Sequence, residues 1–197
     1  MSTIDLHVQA QQLQLAYHGT TAEVGRAIEQ DGFLRSRGAK SGNWETGPFG
    51  GNPGNPDWVY VIKDREMALG YMKEVCRSAG VDQGALVTVQ VDTAEAYPDE
   101  DEIFDWLYNL SPSPLVDKLW RLYAEYMESP SVEALKKYLD EEEPYATNDA
   151  ELAYDMVALS EKLMGSITEA ELQELRGQQN SMAFDKPIPV VSVEYFA

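Results

Sequence analysis

At Tyr97-Pro98 the chain changes character, and that change limits what it can fold into. Before it, short apolar runs alternate with helical patterns. Leu13–Tyr17 alternates apolar with small or polar residues and predicts a strand that delivers His18 at its end. Thr20 or Thr21 suits the N-cap of a helix over Ala22–Gln30, with Val24, Ala27 and Ile28 on one face and Asp31-Gly32 closing it. Trp58–Ile62 reads as a buried strand. Asp64 then caps a helix over Arg65–Ser78 that spaces Met67, Ala68, Tyr71 and Val75 along one side. Gly84–Val91 is a β-branched strand. The first half is therefore β-α-β-α-β.

After Pro98 the chain is acidic and helical, with candidate helices at Ile103–Asn109, Pro114–Met127, Val132–Asp140, Asp149–Met164 and Thr168–Arg176. Thr168-x-x-Glu171 has the form of a capping box; Ser131-x-x-Ala134 does not. Pro187–Phe196 returns to strand, its alternation setting Val191, Val193 and Tyr195 opposite Ser192 and Glu194. Gly38–Asp57 carries six glycines and three prolines and no apolar period, which predicts a long loop. Loops of that length often serve as active-site lids.

Charge follows the same division. Residues 1–98 hold 8 Lys/Arg against 12 Asp/Glu, a net of −4; residues 99–197 hold 7 against 22, a net of −15, summing to −19. Such a field disfavours nucleic acid and favours partners with basic surfaces, although a charge run can equally be a solvated face. No apolar run reaches the roughly 20 residues needed to cross a bilayer, and Met1–His7 lacks the pattern of a secretory signal. Cys76 is the only cysteine, which points to a reducing, cytoplasmic setting. With only His7 and His18 and no Cys/His cluster, no metal site is expected.

His18, Tyr60, Tyr71 and Glu194 together suit cleavage of NAD at C1′ of the nicotinamide ribose. That reaction leaves an oxocarbenium-like sugar. Aromatic faces can hold the departing ring, a glycine lets backbone approach the carboxamide, and a carboxylate beside the ribose stabilises the developing cation. Gly19, the two tyrosines and Glu194 supply those parts. A GxxxxGK[ST] phosphate loop is absent, Gly47–Gly51 does not form a dinucleotide fingerprint, and Ser41 and Ser78 lack a second suitable histidine for a triad. Trp58, Trp106 and Trp120 read as core, whereas Trp44 stands in the Gly/Pro-rich loop.

These segments resemble the diphtheria-toxin-like branch of the ADP-ribosyltransferase family, which includes the poly(ADP-ribose) polymerases. Tyr17-His18-Gly19-Thr20 matches the family's first element. Tyr60 and Tyr71 have the eleven-residue offset of its second, with Ala68 and Gly70 before the second tyrosine. Gly84–Val89 resembles the strand that follows, and Val193-Glu194-Tyr195 the glutamate strand. The likeness covers residues 13–92 and 187–196; Asp99–Arg176 matches no part of the family pattern.

The resemblance implies an α+β fold: one domain over 1–197, built on a split, mostly antiparallel sheet of the ADP-ribosyltransferase type, with an acidic helical insertion at 99–180. It implies NAD as substrate, bound by Tyr17, His18, Gly19, Thr20, Tyr60 and Tyr71. His18 would bond the ribose, Gly19 the carboxamide, Thr20 would lie near the adenosine half, and the tyrosines would flank nicotinamide. Glu194, His18 and Tyr71 would form the catalytic set. Arginine-modifying branches carry a glutamate two positions before the catalytic one; Ser192 stands there, which argues against arginine as acceptor. The expected activity is mono-ADP-ribosyl transfer to a macromolecule. The alternatives are NAD glycohydrolysis, or a catalytically silent acidic protein that binds a basic partner.

Overall fold

A computed structural model describes residues 13–36, 57–98, 106–107, 110–142, 162 and 165–197. The fold is α+β. Seven strands form one antiparallel sheet in the order β2-β7-β4-β1-β3-β6-β5. They are β1 (Leu13–Thr21), β2 (Phe33–Leu34), β3 (Val59–Ile62), β4 (Gly84–Asp92), β5 (Tyr97–Pro98), β6 (Ser181–Phe184) and β7 (Ile188–Phe196).

Helix α1 (Ala22–Asp31) starts where Thr21 Oγ1 accepts from the Val24 N–H, and it ends at Gly32, whose φ of 75° needs glycine's freedom. Helix α2 (Arg65–Ala79) starts at Asp64, whose Oδ1 accepts from the Met67 N–H at 2.7 Å. α1 and α2 pack on opposite faces of the sheet. Gly25 of α1 sits against Ala85, Val193 and Tyr195, whereas α2 sits against Gly19 and Gly84.

Two larger buried cores result, with a smaller one of Ile62, Ala68 and Leu86 beneath α2. Ala16, Val59, Val61, Val87, Val89, Val91, Met182 and Phe184 pack on the α1 face with Ile28. The second core belongs to the helices between β5 and β6: α3 (Pro114–Tyr126), α4 (Val132–Glu142) and α5 (Glu169–Gln178). There Leu115, Leu119, Trp120 and Tyr123 recur at helical spacing on α3 and meet Trp106, Leu135 and Leu175. Ser113 caps α3, with Pro114 in its first turn. Thr168 and Glu171 form the expected capping box on α5, and Ser131 Oγ accepts from the Ala134 N–H without a reciprocal glutamate. Trp106 and Trp120 are core as expected, while Trp58 is half-buried and stacks on Tyr97 at 5.0 Å.

Several sequence expectations need correction. β1 does not stop at Tyr17; β4 pairs with it as far as Thr21↔Gly84, so His18 stands within the strand. The buried stripe of α2 is Ala68, Met72 and Cys76, while Met67 is 43% exposed, because the helix turns toward the two glycines. Val191 leaves the alternation at a register shift between Thr88 and Val89 and is 58% exposed. β2, β5 and β6 were not expected: Ser-Met-Ala-Phe has little β-branched content, and it forms strand because β3 and β5 pair with it on either side. The Gly38–Asp57 loop (Asp57 apart), Trp44, Ser41 and most of the candidate helices at 103–109 and 149–164 lie outside the described residues.

Candidate active site

In an antiparallel ladder, directly opposed residues share a face and alternate residues share a face along a strand. Gly19 opposes Leu86, and Leu86 opposes Glu194, so these three form one row across β1, β4 and β7. Tyr17, Thr88 and Ser192 form the next row on the same face. Tyr17 also opposes Ile62, which places Tyr60, two residues earlier, on this face as well. α2 covers part of it, and Tyr71 packs there with Tyr17, Ile62, Ala68 and Leu86. Tyr17, Gly19, Tyr60, Tyr71 and Glu194 therefore gather on the α2 side of the sheet.

Gly19 has a packing reason of its own. A Cβ there would run into the Ala68 carbonyl oxygen and stand 2.7 Å from the Met72 nitrogen. Only glycine lets α2 come this close to β1, and that approach fixes α2 against the row that holds Glu194.

Alternation turns His18 and Thr20 toward the other face. Thr20 is 2% exposed, opposite Ala85 and so on the side of α1. His18 is half-buried. β1 and β3 are paired only at Tyr17↔Ile62, and beyond that pair the His18 ring reaches β3, its Nδ1 lying 3.0 Å from the Tyr60 carbonyl oxygen. A carbonyl can only accept, so Nδ1 carries the proton, and in the neutral ring Nε2 is the acceptor nitrogen.

Glu194 is exposed, and its Oε2 accepts from Arg65 Nη2 at 2.8 Å. Sequence reasoning missed Arg65. A signal was present: directly after the capping Asp64, Arg65 puts a cation at the end of α2 where the helix dipole disfavours one. Next to Glu194, Tyr195 points to the α1 side, where its hydroxyl donates to Glu29 at 2.7 Å. That hydrogen bond raises the Tyr195 hydroxyl above its ordinary range, with burial and the Glu29 charge adding to it.

A cavity of about 590 Å³ beside α2 has Leu69, Met72, Cys76, Val81 and Phe196 in its lining, together with Lys73 and Arg77. The Cys76 thiol donates to the Gln83 carbonyl at 3.4 Å, and burial raises its pKa. Among the described residues no group of three or more His, Cys, Asp or Glu could hold a metal, and no helix is long and apolar enough to cross a membrane.

No family model matches the sequence, and neither a curated protein nor a solved structure is significantly similar to it.

Proposed function

We propose that this chain is a mono-ADP-ribosyltransferase that takes NAD as substrate and transfers ADP-ribose to a macromolecular acceptor, a protein with a basic surface. The observation that carries this reading is the gathering of Tyr17, Gly19, Tyr60, Tyr71 and Glu194, far apart in sequence, on one sheet face. Gly19 and Glu194 lie in one row two strand spacings apart, about 10 Å. That separation suits a ligand gripped by its carboxamide at one end, with its ribose beside a carboxylate. The single pairing between β1 and β3 supports a split sheet of the ADP-ribosyltransferase type, with His18 bridging the split.

In this mechanism the C1′–N bond breaks and its electron pair leaves with nicotinamide, neutralising the pyridinium. The ribose becomes an oxocarbenium-like cation facing Glu194. A lone pair of the acceptor X–H then bonds C1′, and its proton is released, so NAD⁺ and HX give ADP-ribosyl-X, nicotinamide and H⁺. Glu194 stabilises the cation electrostatically, while Tyr60 and Tyr71 hold the leaving group. The net charge of −19 supports a basic protein acceptor over nucleic acid, and a single cysteine supports a cytoplasmic setting.

The test uses purified protein and NAD labelled in either half. Wild-type protein is expected to release nicotinamide, and a cell extract is expected to gain label from the adenosine half on a macromolecule. Glu194→Gln should slow release by about 10²-fold or more, the usual effect of losing one electrostatic stabiliser, while NAD still binds. Label recovered only as free ADP-ribose would make the protein a glycohydrolase. Absence of release would leave an acidic binding protein without this chemistry.

A further inference from the structure

Arg65 occupies an unusual place. As the first residue of α2 it sits at the positive end of the helix dipole, where a cation does nothing for the helix. Asp64 supplies the cap, and Glu66 the negative charge of the first turn. The guanidinium instead crosses to β7 and donates from Nη2 to Glu194 Oε2 at 2.8 Å, with Nη1 3.8 Å from Glu66 Oε1.

The pair is too exposed to matter much for folding: the Arg65 side chain is 37% and the Glu194 side chain 47% accessible. Ion pairs at such positions contribute little to stability. Its backbone setting is nonetheless tightly fixed. α2 is seated against β1 by the Gly19 contact with Ala68 and Met72, and Glu194 lies in the same row as Gly19 through Leu86. One close contact seats the helix that carries Arg65, and pairing with β4 holds the strand that carries Glu194 in the same row.

We infer that Arg65 is a positioning residue for Glu194. This role rests on the ADP-ribosyl-transfer reading and adds a residue to it. A glutamate side chain on an exposed strand samples several rotamers, and a stabilising carboxylate is most effective when it is already aimed before the charge develops. Arg65 takes Oε2 and leaves Oε1 as the oxygen that faces the ribose. The contact is made to the carboxylate rather than to NAD, so it changes the rate of bond breaking and not the binding of NAD.

The test is steady-state nicotinamide release from labelled NAD by the full chain, with kcat and KM separated. Arg65→Ala is expected to lower kcat about tenfold or more, since small misplacements of a reacting group cost that much, with KM within about twofold of wild type. Arg65→Lys should restore part of kcat, because an ammonium still attracts the carboxylate but lacks the planar fork. In a Glu194→Ala background, Arg65→Ala should add no further loss. The melting temperatures of both Arg65 variants should stay near wild type.

A raised KM with unchanged kcat would make Arg65 an NAD-binding residue and overturn the positioning role. So would full activity in Arg65→Ala, or an additive loss in the double variant. Each of those results leaves wild-type turnover in place. A wild-type protein that releases no nicotinamide overturns the transferase reading itself, and this role with it.

Discussion

The sheet and the helices that interrupt it are built from different materials. The sheet core is mostly valine and other aliphatic side chains, which suit a pleated surface. The core of α3, α4 and α5 instead centres on Trp106, Trp120 and Tyr123 among leucines. Few helices enclose little volume, and large aromatics supply the buried area that a short bundle needs. The two cores share no residue. They meet through polar contacts around Arg176, which is 8% exposed: its Nε donates to the Ala96 carbonyl at 2.9 Å, and its own carbonyl accepts from Lys63 Nζ at 2.9 Å. The residues proposed for NAD lie on the sheet and α2, and none lies on α3, α4 or α5. On the proposed reading the chemistry lies on the sheet, and the helices contribute packing.

The largest effect that probes this division should come from Leu119, which is 1% exposed in the helical core. Leu119→Ala should cost about 2–5 kcal/mol, the range for a buried leucine. Circular dichroism is expected to show an early helical transition, with NAD binding persisting beyond it. A single transition that takes NAD binding with it would mean the two regions fold as one unit.

Gly19→Ala attacks the other region. The added Cβ meets helix backbone rather than a flexible side chain, so about 1–3 kcal/mol of overpacking is expected. The helical transition should stay unmoved while NAD binding weakens. Gly70 makes the opposite case on the same helix: nothing lies within 4 Å of a Cβ built there. Gly70→Ala should therefore stabilise α2 by up to about 1 kcal/mol, glycine's usual deficit in a helix interior. A loss from Gly70→Ala, measured by denaturant midpoint, would show that the position is closed to a methyl group.

The smallest effect concerns acid. The hydrogen bond from Lys118 at 2.7 Å, with those from the Thr168 backbone and hydroxyl, lowers the Glu171 carboxyl from 4.5 to about 2. A depressed folded-state pKa adds stability that is complete above 4.5 and is lost as pH falls toward 2. The helical region of wild type should therefore weaken over that window. Glu171→Gln should flatten the dependence and lower stability slightly at neutral pH. An unchanged acid profile in the variant would show that other carboxylates govern it.

Local rules made α1, α2 and α5 legible, since Thr21, Asp64 and Thr168 cap them and Gly32 ends α1 in the left-handed region; α3 was read from its periodicity, and its cap Ser113 and the Gly80 end of α2 came from the structure. A cap acts within one turn, so neighbouring residues suffice to read it. β3, β4 and the alternation of Ser192 with Glu194 were legible from composition and period, whereas the α+β class was expected from the resemblance. Tertiary structure alone decided the rest. β6 is a strand because β3 and β5 supply hydrogen-bond partners, and β1 continues through His18 because β4 does. The face shared by Tyr17, Gly19, Tyr60 and Glu194, the turn of His18 toward the Tyr60 carbonyl, and the Arg65–Glu194 contact all depend on strand register. Register is set between segments far apart in the chain, and a shift of one residue moves every side chain to the other face. Residue types name the parts of such a site, but only the paired strands determine which of them meet.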